Sequence, residues 1–299
     1  MNSDSTPLVS VIIPTFNHAN LLGKALESVI NQTYGNWEAI VVDNQSTDET
    51  NQVIGKFKNS RIQYLKISNG GIIAKSRNLG INVAKGEWIA FLDSDDWWTK
   101  DKLEICLKNV DEKIDFIYHK LEIIYDNANS YFKTKKNIGR QLNKPILEDL
   151  LISEIKNGNA IGNSSVVVRK DILDKIGGIS ENKKMVASED FNTWLRIAQI
   201  TDKFKYIQNR LGYYLVHANS AQKRDLSIPH REAVSEFIEL FDEKQKLNLE
   251  VKLKYMSGNY NILNKNYSKA KKDFLFVYKN SGINLKLRSL LKTILIIFK

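Results

Sequence analysis

The sequence predicts an α/β protein built on a mostly parallel, Rossmann-like sheet with flanking helices, followed by a helical extension. Three observations support this prediction. Short apolar runs alternate with stretches of helical periodicity through the first 92 residues. The apolar runs lack period-two alternation, so each strand is expected to be buried on both faces of a sheet. Finally, the pattern from residue 229 onward is helical and basic.

The predicted strands and helices follow one another in a regular order. Predicted strands occupy 8–13, 37–42, 62–67 and 87–92, with helices at 21–30, at 74–83 and from the 47–50 turn onward. Beyond residue 110 we expect strands at 116–125, 164–168 and 212–216, a basic loop at 133–144, a helix from 188 to 197 and a helical hairpin at 259–279.

The composition is that of an ordinary globular protein, with 42% hydrophobic and 26% charged residues in a chain of 299. The single cysteine, Cys106, excludes an intramolecular disulfide and suits a reducing compartment. The first residues predict no secretory signal, and no uncharged apolar run approaches the roughly 20 residues that span a bilayer. These features favour a cytoplasmic protein.

The net positive charge is confined to the end of the chain. Residues 251–299 hold 11 Lys or Arg residues and a single acid, Asp273. Residues 1–250 are therefore neutral overall, with 33 basic and 33 acidic residues. A basic segment of this kind points to an anionic partner rather than to a property of the fold.

Three polar clusters directly follow predicted strands, at 14–17, 43–46 and 93–96. In open α/β sheets, ligands bind at the carboxyl ends of the strands. We therefore expect these clusters to converge on one edge of the sheet and to form a binding site there.

The most informative cluster is the acidic segment that follows the strand at 87–92. Asp93, Asp95 and Asp96 place three carboxylates within four residues, and these repel one another unless a cation or a donor network holds them. A divalent metal with oxygen ligands, Mg²⁺ or Mn²⁺, would do so and would serve a phosphate-bearing substrate. The alternative is a solvated turn after a strand.

Five motifs occur in order along the chain, and together they resemble the inverting family-two glycosyltransferases with the GT-A fold, of the bacterial cell-surface glycan type. The motifs lie at 11–17, 41–48, 74–80, 91–96 and 188–190. The resemblance spans roughly residues 8–217. It implies a catalytic domain at 1–225, with the basic helical extension at 226–299.

The resemblance implies a nucleotide-sugar donor, most often a UDP-sugar. The implied donor-binding residues are Pro14, Thr15, Asn17, Asp43, Arg77, Asp93 and Ser94. The sequence departs from the common pattern at Asn44, where a second acid usually stands. Asparagine can still form hydrogen bonds with the edge of a nucleobase, but this departure leaves the identity of the donor's nucleobase open. Arg77 matches the arginine that contacts the diphosphate, a role that suits a guanidinium; the alternative is a surface arginine.

By the same resemblance, Asp93, Asp95 and His217 form the metal site. The metal, Mn²⁺ or Mg²⁺, would neutralise the charge that develops on the departing nucleoside diphosphate. Asp95 is implied as the direct ligand, with Asp93 on the ribose or on a metal-bound water. His217 follows a late strand and is either a third ligand or a structural histidine.

Asp190 matches the catalytic base, which takes the proton from the acceptor hydroxyl as that oxygen attacks the anomeric carbon. A helix N-terminus would lower the pKa of Asp190, whereas Glu189 and burial would raise it, so the sequence leaves the balance open. The alternative is an acidic first turn without catalytic function. The expected acceptor or sugar contacts are Trp97, Trp98, Glu189 and Trp194, although tryptophan is more commonly a core residue.

These assignments predict transfer of one sugar, expected to be a hexose, to a glycan or lipid-linked oligosaccharide in cell-surface polysaccharide or lipopolysaccharide synthesis. The chain lacks the Gln-x-x-Arg-Trp motif and transmembrane helices of the processive synthases. A nucleotide-sugar-binding protein without catalysis is the main alternative. A haloacid-type phosphohydrolase is disfavoured because that family needs Thr or Val four residues after the first Asp, where this chain has Trp97. A dehydrogenase is disfavoured because no G-x-G-x-x-G follows the first strand. The long aliphatic face of the tail disfavours a nucleic-acid binder.

The tail at 283–298 predicts an amphipathic helix. Leu287, Leu290, Leu291, Ile294 and Phe298 recur on one face, with Arg288, Lys292 and Lys299 on the other. At ~1.5 Å per residue this helix reaches only ~24 Å, so it is expected to lie on an anionic membrane surface, on the inner face of the cytoplasmic membrane. The alternative is a helix packed on the catalytic domain with its basic face in solvent.

Overall fold

The computed structural model of the chain describes residues 6–126, 141–142, 159–217 and 224–297. Its strands are β1 (Val9–Thr15), β2 (Trp37–Asp43), β3 (Ile62–Lys66), β4 (Trp88–Phe91), β5 (Trp97–Trp98), β6 (Phe116–Tyr125), β7 (Gln141–Leu142), β8 (Val167–Arg169) and β9 (Phe204–Val216). They form one sheet in the order β3-β2-β1-β4-β8-β6-β9-β5, and β7 pairs with β6.

The helices are α1 (Ala19–Ile30), α2 (Thr50–Lys56), α3 (Ile73–Val83), α4 (Lys102–Lys108), α5 (Lys170–Lys175), α6 (Glu189–Ala198), α7 (Ser227–Val234), α8 (Glu243–Leu263), α9 (Tyr267–Asn280) and α10 (Ile283–Ile297). The first three connect the parallel strands. Among the described residues, no helix has the length and apolar character needed to cross a membrane.

The sheet is mixed. Strands β3, β2, β1 and β4 run parallel, as predicted, and β6 and β9 are also parallel to each other. In contrast, β8 is antiparallel to both of its neighbours, β4 and β6, and the short strands β5 and β7 are antiparallel to β9 and β6. The antiparallel strands were not predicted, because an apolar run without alternation reports burial on both faces but not strand direction.

Burial on both faces is clearest in β1. Val9, Val11 and Ile13 belong to one hydrophobic cluster and Ile12 to another on the opposite face, and all four are fully buried. Helix α3 packs closely against this strand at Gly80, where a Cβ atom would lie 2.6 Å from Ile12 Cγ2. This close contact helps to fix α3, and with it Arg77, against the sheet.

Three element boundaries differ from the sequence prediction. Helix α2 begins at Thr50 rather than at 47, because the Asp48 carboxylate accepts hydrogen bonds from the backbone and hydroxyl of Thr50. The predicted strand at 164–168 is a 3₁₀ turn, Asn163–Ser165, followed by β8. The late strand predicted at 212–216 begins earlier, at Phe204. The predicted loop at 133–144 lies outside the described residues except for β7.

The C-terminal helices pack on α6 and then on one another. Phe191 and Leu195 of α6 share a cluster with Phe237, Leu249 and Leu253. A second small cluster joins α8, α9 and α10. The hairpin predicted at 259–279 corresponds to the end of α8 and most of α9, and it is confirmed.

Candidate active site

A cavity of about 740 Å³ lies at the carboxyl-terminal edge of β1, β2 and β4. The three polar clusters that follow these strands meet there. The Asn44 N–H donates to the Thr15 carbonyl at 3.0 Å, and His18 Nδ1 lies 2.9 Å from Ser94 Oγ. The predicted convergence of these clusters is therefore confirmed.

Segments from the second half of the chain complete the cavity. Residues 159–163, 186–187 and 189–190 line it, as does His217. The helical extension also contributes His230 and Met256. The extension is thus part of the cavity wall.

Buried polar atoms in the cavity wall indicate a polar ligand. Thr15 Oγ1, Arg77 Nε, Asn159 Oδ1 and Asn163 Oδ1 are buried, line the cavity and have no protein partner among the described residues. Buried polar groups are nearly always hydrogen-bonded, because an unmet donor or acceptor costs about 1–3 kcal/mol. A bound polar molecule would satisfy them.

Two predicted donor-binding residues do not line the cavity. The buried Asp43 accepts hydrogen bonds from the Ser46 backbone and hydroxyl and from the Tyr64 hydroxyl, the last at 2.7 Å. Asn17, with φ of 51°, accepts from the Thr47 N–H at 2.8 Å. Both residues hold loops at the sheet edge, whereas Pro14 and Thr15 line the cavity as expected.

The acidic segment divides into two parts. Asp93, Ser94 and Asp95 line the cavity. Asp96 instead is buried behind it, where its carboxylate accepts from the Ser164 hydroxyl at 2.5 Å and from the Leu215 N–H at 3.0 Å. Burial, followed by repulsion from Asp95 and Asp93, raises the pKa of Asp96 well above its ordinary value. Asp96 therefore anchors the segment to β9 and to the Asn163–Ser165 turn.

Two of the three residues assigned to the metal site lie together. Asp95 Oδ2 lies 2.9 Å from His217 Nε2, and both residues line the cavity. Asp93 does not join them, because its Oδ1 atom accepts from Arg77 and from Asn163. Across the described ranges, no three His, Cys, Asp or Glu side chains lie close enough together to hold a metal ion. Asp95 and His217 nevertheless fit a divalent ion whose remaining ligands are phosphate oxygens and water.

Arg77 links the two acidic segments of the site. Its guanidinium donates to Asp93 and to Glu189, each at 2.7 Å, and its side chain is only 4% exposed. Burial disfavours the charged form, but Asp93, Glu189 and Asp190 outweigh that effect and raise the pKa of Arg77. Arg77 thus lines the cavity as predicted, with both terminal nitrogens already engaged.

Asp190 lies in the first turn of α6, facing the cavity. Its carboxylate accepts from Asn159 Nδ2 at 2.9 Å and from the Phe191 N–H at 2.7 Å. Burial and then the neighbouring Glu189 raise the pKa of Asp190 to about 7, against the opposing effects of Arg77 and of the two hydrogen bonds. The effects of burial and of Glu189 on the pKa of Asp190 therefore outweigh those that lower it, and a raised pKa suits a general base.

Glu189 is held in place on the opposite side of Arg77. One oxygen accepts from Arg77 and the other from the Ala187 N–H at 2.7 Å. Ala187 has a φ of 74°, a conformation unfavourable for alanine that is tolerated where the surroundings enforce it. Since both of its oxygens are bonded, Glu189 positions the loop before α6. It also lines the cavity, and its contact with the acceptor stays a prediction.

The tryptophans expected at the acceptor side occupy other places. Trp98 is 3% exposed and Trp194 fully buried, and their indole N–H groups donate to the backbone carbonyls of Ser164 and Ile161. Trp97 does not line the cavity either; its ring stacks on Tyr213, with the Lys24 ammonium 3.2 Å from its centroid. The expectation of sugar stacking is corrected for Trp98 and Trp194, which are core residues.

Sequence reasoning did not identify four residues that line the cavity: His18, Asn159, Asn163 and His230. Among them, His230 has its Nδ1 atom 2.6 Å from the Ser188 hydroxyl, and burial, followed by the nearby Lys252, lowers the pKa of His230 to about 4. His18 could have been noticed, since it directly follows the first polar cluster. The other three are separated from their partners by more than 30 residues, so no local pattern signals them.

The comparisons with known proteins agree with this geometry. The family model described as glycosyl transferase family 2 matches residues 10–177. The chain belongs to glycosyl transferase family 2. The match covers the parallel half of the sheet and extends through β8 and α5.

Two Escherichia coli glycosyltransferases are similar to this one over most of its length. WfaP, a UDP-Glc:α-D-GlcNAc-diphosphoundecaprenol β-1,3-glucosyltransferase, is 32% identical over 71% of this chain and 79% of its own. WfgD, described by the same activity, is 33% identical over 64% of this chain and 69% of its own.

Solved structures share the GT-A fold of this glycosyltransferase at low identity. Staphylococcus aureus TarS 1–349 in complex with UDP-GlcNAc has a TM-score of 0.65 and 18% identity, covering 96% of this chain and 88% of that one. The mannosyltransferase PcManGT of Pyrobaculum calidifontis, in complex with GDP-Man and Mn²⁺, has a TM-score of 0.64 and 15% identity, covering 99% and 82%.

Proposed function

We propose that this glycosyltransferase is metal-dependent and inverting, and that it transfers one hexose from a UDP-sugar to a hydroxyl of a lipid-linked glycan precursor. The observation that carries the proposal is the arrangement around Arg77. One guanidinium contacts Asp93 of the donor-side segment and Glu189, the neighbour of the proposed base Asp190. The donor-side acids and the base therefore face one cavity.

The inverting step requires one group that accepts a proton. The acceptor hydroxyl oxygen forms a bond to the anomeric carbon while the bond from that carbon to the diphosphate breaks. Asp190 takes the hydroxyl proton, and the nucleoside diphosphate leaves with the bonding electrons. A base with a pKa of about 7 holds an appreciable ionised fraction at neutral pH and still binds the transferred proton well.

The donor side needs groups that bind two phosphates and a nucleoside. A divalent cation beside Asp95 and His217 would supply positive charge to the departing diphosphate. Thr15 Oγ1 and Asn163 Oδ1, both buried and unpaired among the described residues, are available to the donor. Arg77 holds Asp93 and Glu189 in place and offsets part of their negative charge on the donor side.

The choice of donor and acceptor draws on relatives. WfaP and WfgD are named for UDP-Glc and for GlcNAc-diphosphoundecaprenol, and TarS was solved with UDP-GlcNAc. PcManGT, in contrast, was solved with GDP-Man and Mn²⁺. We favour UDP because WfaP and WfgD, which are 32% and 33% identical over 71% and 64% of this chain, are both named for UDP-Glc.

Calorimetric titration of UDP, GDP and CMP, each with and without Mn²⁺, tests the donor class. We expect UDP alone to bind in a metal-dependent manner, and Asp95→Asn to abolish that dependence. Asp171→Asn removes an exposed carboxylate from α5 and serves as the matched control. Mn²⁺-independent binding, or equal binding of the three nucleotides, would contradict the assignment of Asp95 and of the donor.

Transfer itself is tested with UDP-Glc and a GlcNAc-diphospholipid acceptor. A β-configured product establishes inversion of the α-linked donor, whereas an α product refutes it. Tight UDP binding without transfer to any hydroxyl acceptor would instead favour a nucleotide-sugar-binding protein.

A further inference from the structure

The last helix, α10, packs with its polar side inward. Ser289 and Thr293 are at most 6% exposed, and Ile296 completes the buried side. The Lys292 ammonium also points inward, where it donates to Asn259 on α8 and lies 5.3 Å from the Tyr255 ring centroid. Lys292 therefore lies opposite the leucines, as predicted, and its ammonium contacts α8.

The outward side of α10 is apolar. It carries six large aliphatic side chains with exposed fractions between 37% and 68%: Ile283, Leu287, Leu290, Leu291, Ile294 and Leu295. Contiguous exposed apolar surface of this kind marks an interaction site in proteins that are otherwise well packed. We call this surface the outward face of α10. Phe298, assigned to the same face from the sequence, lies outside the described residues.

The segment that carries the outward face is basic. Asp273 is the only acid in residues 251–299, and it is 3% exposed, with its carboxylate accepting from Ser257 and contacting Lys254. Exposed basic residues remain, among them Arg288 on α10 itself and Lys271 and Lys272 on α9. An apolar face in a basic segment, whose one acid is buried and paired, is complementary to a surface that is apolar inside and anionic outside.

We propose that the outward face of α10 binds an anionic membrane surface, with the helix lying in the plane of the headgroups. The inward side is already packed on α8 and α9, so α10 offers a single face to the bilayer, as interfacial amphipathic helices do. Exposed Lys and Arg side chains contribute through attraction to anionic lipids.

The position of α10 connects this surface to the cavity. Met256 of α8 lines the cavity, and Asn259, one turn further along the same helix, receives the Lys292 hydrogen bond. A single helix therefore separates the membrane-binding surface from the cavity wall. An enzyme held in this way would meet a lipid-linked acceptor at the bilayer surface, a consequence that rests on the proposed function, whereas the membrane binding itself does not.

Vesicle co-sedimentation of the full chain tests the proposal. We expect binding to phosphatidylcholine vesicles that contain phosphatidylglycerol, and a reduction of that binding at 1 M salt, where the Debye length falls to about 3 Å. The double variant Leu291→Ser/Leu295→Ser should lose about tenfold or more in the partition coefficient, because two large apolar side chains no longer enter the interface.

Leu240→Ser is the matched control, since Leu240 is 60% exposed and Leu291 61%, but Leu240 lies outside α10. It should bind vesicles as the wild type does. The proposal is overturned if the wild type ignores anionic vesicles or if the double variant binds unchanged. It is also overturned if the wild type is a dimer that the double variant disrupts without any vesicle binding, because the outward face is then a contact between copies.

Calorimetric UDP binding in the same preparations separates this proposal from the proposed function. The double variant should bind UDP as the wild type does, which also shows that it is folded. A wild type that binds vesicles but no nucleotide would refute the donor assignment while leaving the membrane surface intact.

Discussion

The site contains two acidic segments whose cavity-facing carboxylates have different partners. In the segment after β4, Asp93 pairs with the Arg77 guanidinium and Asp95 contacts His217, so its cavity-facing carboxylates lie against groups that carry or can carry positive charge. At the start of α6, Asp190 accepts hydrogen bonds from neutral donors, the Asn159 amide and the Phe191 N–H.

This difference separates two roles for one residue type. Burial and then Asp93 raise the pKa of Asp95 as well, against the hydrogen bond from His217, so a cation bound there would be needed to favour its ionised form. A base, in contrast, must be able to take up a proton. Burial and the adjacent Glu189 raise the pKa of Asp190 to about 7, into the range where it can exchange a proton at neutral pH. Because Arg77 contacts both segments, replacing Asp190, Asp95 or Arg77 should affect proton transfer, metal binding or both segments together.

The largest effect is expected for Asp190→Asn. Removing the general base should lower kcat by about 10²- to 10⁴-fold, because the acceptor hydroxyl then attacks without a partner for its proton. UDP affinity should stay within about twofold of the wild type, since the base does not belong to the donor side. Steady-state kinetics and calorimetry measure the two quantities.

An exposed acid on α5 provides the control for this change. Asp174→Asn should leave kcat unaltered. If Asp190→Asn retains near-normal kcat, another group must accept the proton and the division of roles is wrong.

The next largest effect is expected for Asp95→Asn, on the opposite segment. The substitution keeps the shape of the side chain but removes its charge. Mn²⁺ affinity in the presence of UDP should fall by more than about 100-fold, because losing a direct ligand should exceed the loss seen when a partner of a metal ligand is changed. The pH profile of the residual activity should keep its midpoint near that of the wild type. A large shift of that midpoint would show that the charge of Asp95 influences the pKa of Asp190, so that the two segments are coupled.

Arg77→Met is expected to disturb both segments at once. The change leaves Asp93 and Glu189 without their shared cation, and breaking a buried pair costs about 3–5 kcal/mol in the free energy of unfolding. Loss of the positive charge should also raise the pKa of Asp190 further, moving the rise of activity to higher pH. Urea denaturation and the pH profile of kcat report the two effects.

Arg169 provides a comparison for the energetic part. Its side chain is 22% exposed, and it pairs with Glu87 at 2.6 Å, whose side chain is 56% exposed, and with Asp115 at 3.4 Å. Arg169→Met should therefore cost less than Arg77→Met, because solvent screens part of the Arg169 interactions. Equal destabilisation by the two substitutions would mean that burial does not distinguish Arg77.

The parallel half of the sheet and its loops were predictable because their signals are local. The apolar runs of β1 to β4 and the polar residues directly after them lie side by side in the sequence, so the meeting of Thr15, Asn44 and Ser94 follows from topology. The roles of Pro14, Asp95 and Asp190 came from the family resemblance, and the structure places these residues at the cavity.

The rest of the site depends on contacts between distant segments. Arg77 and Glu189 are 112 residues apart, and nothing near either of them indicates the pair. Asp43 and Asp96 look like ligand-binding acids in the sequence but are bound by Tyr64 and Ser164. Helix α10 shows a further limit, because periodicity identifies its apolar face without indicating that Ser289 and Thr293 form the packed side.

The smallest predicted effect concerns the hydrogen bond from Asn159 to Asp190. For the wild type, kcat should rise with pH to a plateau, half-maximal near pH 7, because Asp190 acts as a base only when ionised. The Asn159 amide stabilises the ionised form and so lowers the pKa. Asn159→Ala should therefore move the midpoint upward by less than ~1 pH unit, the equivalent of one hydrogen bond.

The pH dependence separates this effect from a loss of packing. Asn159→Ala should be slower than the wild type at pH 6 and equal to it on the plateau above pH 8, whereas a general disturbance would lower kcat at every pH. Asn109→Ala, which removes an amide bonded to the Ile105 carbonyl on α4, should leave the midpoint unchanged. A downward shift in Asn159→Ala would mean that the amide favours the protonated carboxyl, and Asp190 would then owe its pKa to a different balance from the one inferred here.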